Sequence, residues 1–97
     1  MPEVTFHPSA VEEAAEAVAY YEGQRPGLGL SLREAISVGV VNISKHPIAW
    51  APMDGTFRRY LVSGFPYGLI YRIKADTIEI VAVAHSHRNP GYWRGRV

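Results

Sequence analysis

The residues best equipped for chemistry crowd together near the end of the chain: His85-Ser86-His87-Arg88, then Tyr92, Trp93, Arg94 and Arg96. An imidazole takes or gives a proton near neutral pH, a guanidinium neutralises a phosphate, and an aromatic ring stacks on an exposed base. For cleavage of RNA by attack of the 2′-hydroxyl, His85 or His87 would be base or acid and Arg88 would clamp phosphate. Arg72 and one of Arg58 or Arg59 would join that clamp, and Tyr92 or Trp93 would form the stacking platform. The blander assignment has Tyr92 and Trp93 sealing the sheet edge against a helix while the arginines are solvated. His85 and His87 also have the spacing of a metal pair on a strand, but without a third ligand at recognisable spacing no metal is expected. No Ser/His/Asp order and no paired carboxylates stand out, and Gly27 and Gly29 lack the lysine that would complete a phosphate loop. They are read as a turn, and no cofactor is expected.

These groups hang on a run of strands. Phe65, Tyr67, Leu69, Tyr71 and Ile73 alternate at period two, a Lys-Ala-Asp turn follows, and a β-branched run covers Thr77 to Val83. Upstream, Thr56 to Val62 is a further strand, in which the neighbours Arg58 and Arg59 point to opposite faces. Ser63-Gly64 is expected to form a tight hairpin turn. Parity then assigns the faces. With Tyr67, Leu69 and Tyr71 toward one layer, Gly68, Ile70 and Arg72 point away; with Ile78, Ile80 and Ala82 toward it, Glu79, Val81, Val83, His85 and His87 point away. Arg72 and both histidines would thus share an open face unless a bulge intervenes.

Two helices supply the other layer. After a short strand at Glu3 to His7, Ser9-Ala-Val-Glu12 has the form of a capping box. Val11, Ala14, Ala15, Val18 and Tyr21 make an apolar stripe, with Glu12, Glu13 and Glu16 largely opposite. Gly23 and Pro26-Gly27 end this helix. Leu28, Leu32, Ala35, Ile36, Gly39, Val40 and Ile43 form a second stripe, in which Gly39 marks close approach of a neighbour; Lys45-His46 complements the helix dipole and Pro47 stops the helix. So short a connection makes the pair an antiparallel hairpin. Residues 47–55 are expected to be loop. The expected fold is α+β, in the order β-α-α-β-β-β, an antiparallel sheet with the helical hairpin on one face.

Composition narrows the class. A chain of 97 residues, 47% of them hydrophobic, fits one domain over 1–97 with a real core. The absence of cysteine excludes a disulfide scaffold, a thiolate zinc site and a Cys nucleophile, and fits a cytoplasmic setting. Neither a membrane span nor a signal peptide is expected. The net charge of +1 conceals a division: residues 1–50 carry three basic against six acidic residues, and residues 51–97 seven against three. Positive potential belongs to the sheet half.

The phrases FPYGLIYRI and IEIVAVAHSHRNPGYW, with the turn containing Asp76 between them, resemble the C-terminal half of the RelE/ParE superfamily of toxins from bacterial type II toxin–antitoxin systems. The likeness is strongest over Phe57 to Arg94, and AVAHSHRNPGYW is most similar to the ParE-like, plasmid-stabilisation branch. The resemblance implies growth inhibition and a cognate antitoxin whose C-terminal segment wraps the toxin. It also implies one of two targets. ParE-like members inhibit DNA gyrase without cutting a bond, whereas RelE-like members cut mRNA in the ribosomal A site. On the RelE pattern Arg88 and Tyr92 match the late arginine and tyrosine, but Gly68 stands where an arginine is expected, and the lysines near the second strand have no clear equivalent beyond neighbouring Arg58 and Arg59. A ParE-like binder of gyrase is therefore the leading expectation, engaging its target through Arg58, Arg59, Arg72, Arg88, Trp93 and Arg94. The alternative is a ribosome-dependent endoribonuclease using His85, His87, Arg88 and Tyr92.

Overall fold

A computed structural model describes residues 2–53 and 55–97. The order is β1 (Glu3–Phe6), α1 (Pro8–Gln24), α2 (Leu28–Lys45), β2 (Ala51–Pro52), β3 (Phe57–Leu61), β4 (Tyr67–Lys74) and β5 (Thr77–His85), closed by a 3₁₀ turn at Arg94–Arg96. The strands form one sheet in the order β1-β5-β4-β3-β2. The meander β3-β4-β5 is antiparallel as expected, while β1 enters parallel to β5 and makes the sheet mixed. Within the segment expected to be loop, Ala51 and Pro52 pair with Arg59 and Arg58. A proline is tolerated there because this is the sheet's edge. Asp54, placed in the same loop by its sequence, lies outside the described residues.

Helix α1 begins earlier than the capping box implied. The residue before a proline is driven to extended geometry, and His7 has φ −60° and ψ 142°. Pro8 then fills the first helical position, where no N–H is needed. His7 is the cap, its Nδ1 accepting from the Ser9 N–H at 3.0 Å. At the other end of the hairpin, Glu22 reaches across the connection and accepts from the Gly27 and Gly29 N–H groups, both at 2.9 Å, so α1 caps α2. Gly29 belongs to the helix rather than to the turn, and a Cβ there would stand 2.5 Å from the Val18 carbonyl oxygen. Gly39 meets the sheet: its Cβ would lie 2.7 Å from the Tyr60 ring.

The principal core lies between the hairpin and the sheet. Ala10, Ala17, Leu32, Ile36 and Ile43 pack against Tyr60, Leu69, Tyr71, Ile78, Ile80 and Val83. Val83 in this set exposes a correction to the parity reading. Ile70 pairs with Ala82 but Tyr71 with Ile80, so Val81 is an extra residue, a β-bulge on β5. Past it the alternation inverts. Val81, Ala82 and Ala84 belong to the second face, and Val83 to the helix side. His85, opposite Tyr67 and 5.1 Å from it ring to ring, follows Val83. By alternation along β5, His85 therefore does not share a face with Arg72, and His87 lies beyond the strand in the turn that follows.

The second face is not open either. Trp93, 2% exposed, lies on Ile70, Val81 and Ala82, with Phe57, Met53 and Tyr92 around them. The Phe57 and Trp93 ring centroids are 4.6 Å apart. Residues 86–97 thus form a strap that folds back over the sheet and covers apolar surface a bare sheet would leave wet. Instead of sealing an edge against a helix, Trp93 makes a small core of its own.

A candidate binding groove beneath the C-terminal strap

The strap is fastened by a residue assigned to the solvated side of α1. Glu13 is on the sheet side and accepts from four groups at once. They are the Val83 N–H at 2.9 Å, the Tyr92 hydroxyl at 2.6 Å, and both Arg96 terminal nitrogens at 2.8 Å. Arg96 also donates to the Val81 carbonyl at 2.9 Å. This knot sits where β1 has ended, since β1 pairs only with Thr77 to Ile80, so Glu13 and Arg96 satisfy backbone groups that a longer β1 would have paired. Burial alone would raise the Glu13 carboxyl. The hydrogen bonds from Arg96, Tyr92 and Val83, with the charge of Arg96, outweigh it and hold the carboxyl below its ordinary value. Burial pushes the Tyr92 phenol up, and donation to Glu13 pushes it further.

Between the strap and the β3–β4 hairpin runs a groove of about 430 Å³. Its floor is Gly68, Ile70 and Ala84, its walls include Leu61, Met53 and Trp93, and Arg59 and Arg88 border it. Gly68 decides its shape. A Cβ there would stand 3.1 Å from Arg59 Cγ, so the missing side chain lets the arginine's aliphatic stem cross β4. Leu61 is 67% exposed. Among the described residues, the lining includes no carboxylate.

The residues expected to act together are dispersed. Arg58 donates to the Ile48 and Trp50 carbonyls at 3.2 and 2.9 Å and so ties down the loop before β2. Arg72 is paired with Glu79 across the strands at 2.9 Å. Arg88 sits over Tyr92, its guanidinium carbon 3.8 Å from the ring centroid, and Arg94 sits over Trp93 at 4.8 Å. With Trp93 buried and Tyr92 covered by Arg88, and by Arg96 at 5.1 Å, neither ring presents a free platform to a base. His85 accepts from the His87 N–H through Nδ1 at 3.0 Å, and it lines both the groove and a second hollow of about 290 Å³ on the α1 side. Glu13, Glu16 and Tyr20 line that hollow with Arg88. Its two carboxylates oppose a phosphate. No group of three or more His, Asp or Glu able to hold a metal occurs among the described residues.

Sequence reasoning missed Glu13 and Arg96 as partners. The available signal was a glutamate flanked at i−3 and i+4 by Ala10 and Ala17, which share its helix face.

A strand, a helical hairpin and a three-stranded meander with a strapped face define a class of small α+β proteins, and the comparisons agree. Residues 4–90 match the family described as ParE toxin of type II toxin–antitoxin system, parDE. The chain belongs to the ParE toxin family. Among solved structures, one from the chromosomal ParDE TA system from P. aeruginosa superposes with a TM-score of 0.76 at 17% identity, covering 88% of this chain and 96% of that one. That likeness concerns the fold. No curated protein matches the sequence. Among the described residues, no helix is long and apolar enough to cross a membrane.

Proposed function

We propose that this ParE-family toxin arrests growth by binding DNA gyrase without breaking a bond, and that a cognate antitoxin neutralises it. The groove and its rim, with Arg59, Arg88 and Arg94, engage the target. Arg58 and Arg72 support that surface by holding the loop and the strand, and Trp93 holds the strap. The observation that carries this reading is the Tyr92 hydroxyl, bonded to Glu13 at 2.6 Å and raised in pKa, which is a poor proton donor to a leaving oxygen. The separation of His85 from Arg72 by the bulge points the same way.

The opposed reading, a ribosome-dependent mRNA endonuclease, draws support from His85 and Arg88, which together line both the groove and the second hollow. Induction of the toxin, with mRNA followed by primer extension and supercoiling by purified gyrase assayed in parallel, separates the two. Loss of supercoiling with intact mRNA is expected. Codon-positioned cuts that disappear in His87→Ala would refute the gyrase reading. Co-expression with the product of an adjacent reading frame tests the antitoxin, with a stable complex and restored growth as the expected result.

A further inference from the structure

We propose that the outer face of α2 is a contact between two copies of this chain, packed antiparallel about a two-fold axis. Leu30, Glu34, Ser37, Val38, Val41 and Lys45 recur at spacings of three and four, are all exposed, and so fall on one stripe of the helix. That stripe lies opposite the side that buries Leu32, Ile36, Gly39 and Ile43. Leu30, Val38 and Val41 are 57, 50 and 45% exposed, and Ile48, just past the helix end, is 72% exposed. The solvent side of an amphipathic helix is ordinarily polar, so aliphatic residues aligned there are favoured by a second apolar surface that takes them out of water.

The charges identify the occupant as a second copy. Glu34 stands four residues before Val38, and Lys45 four residues after Val41, so the two charges bracket the valines symmetrically. Among the described residues, neither belongs to an ion pair within the chain. With two α2 helices antiparallel, Val38 meets Val41 of the other copy, Glu34 meets Lys45, Lys45 meets Glu34, and Leu30 arrives at the level of Ile48. A parallel pair would set Glu34 on Glu34 and Lys45 on Lys45. Nucleic acid and other polyanions fit less well, because residues 1–50 carry three basic against six acidic residues. At 18 residues the helix is about 27 Å long, so contact confined to this face is small for a stable interface and dissociates in the micromolar range. The strap covers the opposite side of the sheet from the hairpin, so the pair leaves both grooves open and does not depend on which target they engage.

Sedimentation velocity of the full chain, free of antitoxin and at low salt, is expected to show the 10.8 kDa monomer giving way to twice that mass as concentration rises. Val38→Ser combined with Val41→Ser, at positions already in solvent, should weaken association about tenfold or more. Glu34→Lys alone, or Lys45→Glu alone, turns two attractions into two repulsions and should weaken self-association about tenfold. Mixed in equal amounts, these two variants should pair with each other as tightly as the wild type pairs with itself, because every facing pair is again opposite in sign. Neither misfolding nor nonspecific aggregation produces that result. A wild-type chain that stays monomeric, self-association indifferent to these substitutions, or a mixture that remains apart would overturn the proposal. So would a stripe used only by the antitoxin, seen as a free toxin that is monomeric and a toxin–antitoxin complex weakened by the valine substitutions.

Discussion

Replacing Glu13 with alanine should loosen the strap while leaving the hairpin and sheet to fold around their own core. The substitution removes an acceptor shared by Arg96, Tyr92 and the Val83 N–H. It strands a guanidinium whose side chain is 17% exposed. Breaking a buried pair from one side costs about 3–5 kcal/mol. Partial solvent access at Glu13, 14%, and Arg96, 17%, places the expected loss at the lower end, about 3 kcal/mol. Against a total stability on the order of 5–15 kcal/mol, that is a large fraction. For a chain of this size it corresponds to a fall in Tm of about 12–24 °C. Urea denaturation gives the free energy, and hydrogen exchange gives the location, with lost protection concentrated in residues 81–97. Glu13→Ala combined with Arg96→Met should be less destabilised than Glu13→Ala alone, because no charge is left stranded. A loss below about 0.5 kcal/mol, or a double variant less stable than the single one, would refute the assignment of Glu13 as the fastener.

Other expectations follow from the same geometry. Because the folded Glu13 carboxyl is held below its ordinary value, its contribution is fully present above that value and is lost as pH falls through the lower folded one. The stability gap between wild type and Glu13→Gln should therefore persist through mildly acidic pH and close only under stronger acid, as denaturation at a series of pH values would show. Trp93→Ala should cost about 3–5 kcal/mol by opening the small core over Ile70, Val81 and Ala82, measured by chemical denaturation. Gly29→Ala places a Cβ 2.5 Å from the Val18 carbonyl oxygen and should cost about 1–3 kcal/mol, with a lowered denaturation midpoint despite alanine's better helix propensity. Glu79→Gln, which breaks a cross-strand pair near the surface, should change stability by less than about 1 kcal/mol in the same assay.

Much of the fold was legible because its signals are local. The stripe from Leu28 to Ile43, the period-two run from Tyr67 to Ile73 and the stop at Pro47 each follow from a few neighbouring residues. Gly39 was legible for a similar reason, since a glycine on an otherwise apolar stripe implies close contact. What escaped depends on residues far apart in the chain. The choice between His7 and Ser9 as cap turns on the geometry Pro8 imposes. The role of Glu13 depends on Val83, Tyr92 and Arg96, about 70 or more positions away, and no periodicity reports such a partner. The site was half legible: the basic, aromatic tail was visible as a unit, but its direction, folded inward by Trp93, was not.

The extra residue at Val81 gives one strand two opposite senses of in and out. Before it, even-numbered positions of β5 feed the main core; after it, odd-numbered ones do. Removing a single residue near the bulge would rotate the strand's far end and carry His85 from the helix side to the face that holds Arg72. Two relatives spelling the same His-Ser-His could therefore display it on opposite sides, differing in chemistry by an insertion and not by any change of side chain. In such a scaffold the length of a strand is as much a determinant of activity as the letters in it.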